Sequence, residues 1–113
     1  MTTPFFSLPG AKRILTIDDG DDDAILAEFG DYANADLENF LRGFYPNLPI
    51  ASIEITDDMQ AAANYDVARQ YKIRTNNFDG ADQFKNLRDE KRELIKSSLL
   101  NNVQTQSSWA IKF

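Results

Sequence analysis

Apolar residues recur at three- and four-residue steps through much of this chain, the spacing of one buried helix face. Ile25, Phe29, Ala33, Leu37, Phe40 and Phe44 form such a row, widened by Leu26 and Leu41. The pattern predicts a helix over residues 21–44. Gly30 interrupts it at a cost of about 1 kcal/mol relative to alanine, which marks close packing or a kink. The helix should stop near Gly43, because Pro46 and Pro49 follow.

A second row, Met59, Ala63, Val67 and Tyr71, predicts a helix over about 57–73. Thr56 suits its N-cap, and Asp57 and Asp58 lie where the helix dipole favours acids. Ala61 to Ala63 permit close approach by another helix. The stretch RTNNFDG reads as a loop. A third helix, over about 80–101, carries Phe84, Leu87, Leu94, Ile95 and Leu99, with Lys85, Arg88, Asp89, Glu90, Arg92, Glu93 and Lys96 on a solvated face. Ile25, Phe29, Phe40, Val67 and Leu94 are expected to pack in the core.

The ends break the periodicity. Pro4, Pro9 and Gly10 make residues 1–13 an irregular arm, and Arg13 to Ile17 reads as a short extended segment or the first turn of a short helix. Residues 103–113 are polar and then alternate through Trp109, Ile111 and Phe113, which is strand periodicity. The tail is expected either to fold back on its own domain or to dock on another subunit or protein by strand addition. The fold expected is mainly α: a small bundle of three to four helices over residues 14–102, with an extended N-terminal arm and an extended C-terminal tail.

Composition narrows the chemistry. The 113 residues suit one domain. Cysteine and histidine are both absent, which excludes disulfides, thiolate chemistry, ordinary triads and histidine metal sites. Only oxygen-ligated calcium or magnesium remains. The net charge of −6 is split: residues 1–58 carry 12 acids and 3 bases, a charge of −9, and residues 59–113 carry 6 acids and 9 bases, a charge of +3. That asymmetry suits head-to-tail self-association and not a free nucleic-acid binder. No apolar run reaches the ~20 residues that span a bilayer. The N-terminus lacks the layout of a secretion signal, so a soluble intracellular origin is expected.

The most acidic stretch is Asp18 to Asp23, five aspartates interrupted by Gly20. An EF-hand loop started at Asp19 puts Ala24 where glycine is required and Gly30 where a bidentate glutamate is required. Started at Asp18, it puts Gly20 and Phe29 at ligand positions. Neither frame works, and a helix start fits better: one of Asp21 to Asp23 caps the helix while its neighbours sit on the positive end of the dipole. No nucleophile–base pair and no glycine-rich phosphate loop is present. The chain is therefore expected to be non-enzymatic, with no cofactor and no metal.

The order of these features resembles the small head–tail connector, or head-completion, proteins of tailed bacteriophages. The matching places are Ile14 to Ile17, the acidic start Asp18 to Asp23, Ala24 to Leu26, Glu38 to Gly43, Tyr45 to Pro49, and the alanine-rich MQAAANYDVARQY. The resemblance covers about residues 13–101. It departs at Phe44, where the family often has an arginine, and in the loop before the third helix. It implies a structural protein of the virion that assembles as a ring, commonly dodecameric, under the portal protein. Such a ring extends the DNA channel toward the tail or the next head-completion protein, and DNA passes without sequence-specific binding. Asp18, Asp19, Asp21 and Asp22 would then face the channel and repel phosphates. Arg42, Trp109, Ile111 and Phe113 would serve the portal or subunit interface. The alternative is a small helical protein–protein interaction module unrelated to virions.

Overall fold

Three small residues, Ala62, Ala63 and Ala68, are buried on one helix that has neighbours on several sides. This is α3 (Asp57–Arg74), and it packs against α1 (Leu8–Leu15), α2 (Asp23–Phe44) and α4 (Phe78–Lys112). The computed structural model describes residues 5–44 and 55–112, and the side chains of residues 5–43 and 55–99. Among the described residues there are four helices and no strand. The mainly helical bundle expected from periodicity is what the chain forms.

The core forms where the apolar rows meet. Leu26, Ala33, Leu37 and Leu41 from α2 face Met59, Ala62, Ala63 and Val67 from α3, with Ile95 from α4. Phe29 and Phe40 pack partly buried against this cluster, and Val67 is fully buried, as predicted. Ile25 is only half-buried. Tyr65 of α3 stacks on Phe84 of α4 with ring centroids 6.2 Å apart, an offset arrangement favourable for aromatic pairs.

Leu94 departs from expectation. It is 47 % exposed, and Leu87 is 38 % exposed. The inward row of α4 runs through Ala81, Phe84, Arg88, Ile95 and Leu99, none of them exposed. Arg88 and Arg92 take inward positions because α3 and α2 offer them carboxylates. The 3.6-residue turn then carries Leu87 and Leu94 outward. The face read as uniformly solvated is thus partly a buried ion-pair seam.

The N-terminal arm is not irregular throughout. Its residues 8–13 belong to α1, and the Arg13–Ile17 segment closes that helix and does not form a strand. Ser7 occupies the N-cap, its Oγ accepting from Gly10 N at 3.3 Å. Pro9 falls in the first turn, where its missing N–H costs nothing. Thr16 ends the helix with φ 56°, while Thr16 N donates to Arg13 O and Ile17 N to Lys12 O. This is a Schellman stop carried by a β-branched residue in place of glycine.

Two side-chain ties hold the arm. Phe6 N donates to Asn34 Oδ1 at 2.8 Å, and Ser7 N to Asn64 Oδ1 at 3.0 Å. Both asparagines are buried, and satisfying an otherwise orphaned amide makes their burial tolerable. Phe5 is fully buried in the core. Phe6 lies on the α2 backbone at Gly30, where a Cβ would collide with its ring. Gly30 therefore marks close packing within a continuous helix.

The remaining boundaries follow local chemistry. Thr56 caps α3, its Oγ1 accepting from Met59 N at 3.2 Å. At the other end Asn76 takes φ 60°, with Asn76 N bonded to Ile73 O and Asn77 N to Lys72 O. Asn77 Oδ1 then caps α4 by accepting from Gly80 N at 2.9 Å. The TNN triplet is a helix stop and a helix start in succession. The backbone of α4 continues through Lys112, so the extended tail expected over 103–112 is helical instead. Five alternating residues are too few to outweigh addition of one bond per residue to a helix already nucleated.

Candidate functional site at the acidic turn

The turn between α1 and α2 carries the aspartate run. Asp18, Asp19 and Asp21 are exposed. Asp19 Oδ1 accepts from Asp21 N at 3.0 Å, which bends the chain toward α2. Leu26 N donates to Asp22 O at 2.9 Å, so Asp22 holds the N-cap position. Its carboxylate, however, is turned to α3 and accepts from Tyr71 Oη at 2.8 Å. Asp23 lies in the first helical turn, with Lys12 Nζ 2.8 Å from its Oδ1. The run starts α2 as predicted, and it also ties α2 to α1 and α3.

Tyr71 registers this setting. Its hydroxyl is held above the ordinary phenol value of 10.0. The hydrogen bond to Asp22 is the main cause, followed by partial burial and the charges of Asp22 and Asp19; Arg74 opposes them. A neutral phenol donating to a carboxylate resists ionisation, because the phenolate would lose the bond and repel the acid.

Beside the turn, Leu8, Pro9, Lys12, Arg13, Ile17 and Asp18 line an open groove of about 440 Å³. Its cations face the acids of the run, so it is electrostatically mixed. Among the described residues no three carboxylates converge as metal ligands would. The turn can repel anions and attract mobile cations, and its bound partners are residues of this same chain.

The sequence-predicted interface residues do not gather at this turn. Arg42 lies twenty residues along α2 from Asp22, about 30 Å by helical rise. Its side chain is 46 % exposed and 4.0 Å from Glu38 Oε1. Trp109 and Ile111 fall on the distal part of the α4 backbone, and their side chains, like Phe113 as a whole, lie outside the described residues.

Sequence reasoning missed the interior charges. Asp66 is 2 % exposed, and its Oδ1 accepts from Arg69 Nε at 3.0 Å and Arg88 Nη1 at 2.7 Å. Arg88 also bonds Asp89. Burial disfavours its charge, but the bonds to Asp66 and then Asp89 outweigh that and hold its pKa above the ordinary arginine value. Arg92 Nη2 meets Asp36 Oδ2 at 2.7 Å, and its guanidinium lies 5.2 Å from the centroid of the Phe40 ring. Lys91 reaches Asp58 at 3.3 Å. One signal was available: Asp66 sits beside Val67 in an alanine-rich run with Arg69 three residues on, a spacing that pairs charges along a helix.

No helix among the described residues is long and apolar enough to cross a membrane. The chain matches no protein-family model, no curated protein and no solved structure.

Proposed function

We propose that this chain is a non-enzymatic structural protein of a phage virion, a head–tail connector that forms a ring below the portal protein. The observation that carries the reading is the order of features from Ile14 to about residue 101: a short segment, an acidic helix start, a helix ending before YPNLP, then an alanine-rich helix. Two structural facts are consistent with it. Asp18, Asp19 and Asp21 stand exposed in one turn, suited to a channel wall that repels phosphates. The carboxylates beside them, Asp22 and Asp23, are engaged in holding that turn.

In this role the chain needs no cofactor. Its partners are further copies of itself, commonly twelve in a ring, the portal protein, and the tail or the next head-completion protein. DNA passes through without base-specific contacts. The experiment is native mass spectrometry of the chain, alone and mixed with the portal protein encoded by the same genome. A ring, or a stoichiometric complex with portal, is the expected result. A chain that ignores the portal points to the second reading, a small helical interaction module, which the exposed Leu87 and Leu94 favour.

A further inference from the structure

The dipeptide Asp-Gly occurs twice in the chain, at Asp19–Gly20 and at Asp79–Gly80. At such a junction an aspartate can react with its own backbone. Glycine has no Cβ to keep its amide nitrogen from the neighbouring carboxyl carbon, and its backbone turns freely. The fold treats the two copies in opposite ways. Asp79 and Gly80 lie in the first turn of α4, where Gly80 N donates to Asn77 Oδ1 at 2.9 Å. Helical backbone holds ψ near about −42°. Closing a ring from Gly80 N onto Asp79 Cγ rotates that angle far from the helical value and gives up the cap.

Asp19 and Gly20 lie outside any helix, between the end of α1 and the start of α2, and both are exposed. Among the described residues the amide of Gly20 has no hydrogen-bond partner. Asp19 Oδ1 accepts from Asp21 N at 3.0 Å, which keeps the carboxyl group folded back along the Gly20 peptide and draws electron density from Cγ. We propose that Asp19–Gly20 is a site of spontaneous backbone modification, where Asp19 converts to isoaspartate with water as the only co-reactant, and that α4 protects Asp79–Gly80 from the same reaction.

In the first step Gly20 N bonds to Asp19 Cγ and loses its proton. The hydroxyl of the protonated carboxyl group leaves with that proton as water, which closes a succinimide. Water then adds to one of the two ring carbonyls. Addition at the former side-chain carbonyl restores aspartate. Addition at the main-chain carbonyl breaks its bond to Gly20 N, which takes up the proton, and the chain now runs through Cγ. The product keeps one carboxylate, so its charge is unchanged, but the main chain has gained a methylene. That lengthening falls where Asp23 N bonds Gly20 O at 3.3 Å, just ahead of the ties from Asp22 to Tyr71 and from Asp23 to Lys12. The inference is independent of the connector reading.

The test is to age the full chain at neutral pH and body temperature, folded and in parallel unfolded in urea. Tryptic peptides are then assayed with an isoaspartyl methyltransferase and a labelled methyl donor, and electron-transfer fragmentation places the modified residue. In the folded chain isoaspartate should accumulate at Asp19 at least about tenfold faster than at Asp79, the factor that losing a helix cap and first-turn bonds imposes on ring closure. In urea the two rates should converge. Gly20→Ala puts a Cβ 3.4 Å from Asp23 Oδ2, an ordinary contact, and requires no left-handed φ. That variant should keep the fold and lose most of the signal at Asp19 while Asp79 is unchanged. Equal rates at the two sites in the folded chain overturn the inference, as does an Asp19 that stays unmodified, a ratio that urea leaves unchanged, or a signal indifferent to Gly20→Ala.

Discussion

Replacing Asp66 with alanine should destabilise the chain far more than the lost volume explains. Asp66 is 2 % exposed and accepts two charged donors. Hydrogen bonds to charged groups contribute about 1.5–3 kcal/mol each. Arg69 is 26 % exposed at its side chain and can recover hydration, so its share falls at the bottom of that range or below. Arg88 is 12 % exposed and is left with Asp89 alone. The expected loss is about 3 kcal/mol, the lower end of what breaking a buried pair costs. For a domain of this size that corresponds to a drop in Tm of about 12 °C. Urea unfolding followed by far-ultraviolet circular dichroism gives the loss directly. The diagnostic measurement is the double variant Asp66→Ala with Arg88→Met, which removes the stranded cation as well. It should be about 2 kcal/mol more stable than the sum of the single effects implies. A single-variant loss under about 1 kcal/mol, or strict additivity, refutes the claim that this seam is a coupled buried pair.

Other expectations rest on separate features. Gly30→Ala gains helix propensity but drives a methyl into the Phe6 ring; overpacking of about 1–3 kcal/mol should prevail, lowering the urea midpoint. Thr16→Gly relieves a left-handed β-branched residue at φ 56° and should raise stability by about 0.5–1 kcal/mol in thermal melts, the relief of about 1–2 kcal/mol being partly offset by glycine's chain entropy. Asn64→Ala leaves Ser7 N without its acceptor, at about 1–2 kcal/mol, and limited proteolysis should cut the segment before α1 faster. Tyr71 has its folded pKa raised above an unfolded value near 10.0, so its stabilisation is fully present below that value and is lost as pH rises through the higher folded pKa. The stability difference between the parent and Tyr71→Phe should hold constant to about pH 9 and shrink above pH 10; a difference that grows there contradicts the assignment.

Much of the scaffold was legible in the chain. The stripes of α2 and α3 gave both helices nearly to their ends, and Thr56 announced its cap because side-chain capping is a local interaction. The first helix was hidden because Pro9 and Gly10 read as breakers, although proline in a first turn is not one and Ser7 was the cap to look for. Leu94 was assigned inward because apolar residues usually are; its direction depends on which positions Asp66 and Asp36 draw toward the core, a contact 22 and 56 residues away in the chain. The aspartate run was read correctly as a helix start. Its bond to Tyr71 spans 49 residues and has no local signature. Long-range pairing of polar groups was therefore the part that periodicity could not supply.

The two asparagine ties carry a consequence for the order of assembly. Residues 5–11 are synthesised before α2 and α3, and the acceptors for Phe6 N and Ser7 N arrive 28 and 57 residues later. The α3–α4 hairpin, by contrast, closes over a three-residue connection and involves little loop entropy. The segment before α1 thus completes its docking only once Asn64 on α3 is in place, and until then Phe6 has α2 alone to pack on. In refolding followed by pulsed hydrogen exchange, the amides of Phe6 and Ser7 should gain protection after those of α3 and α4.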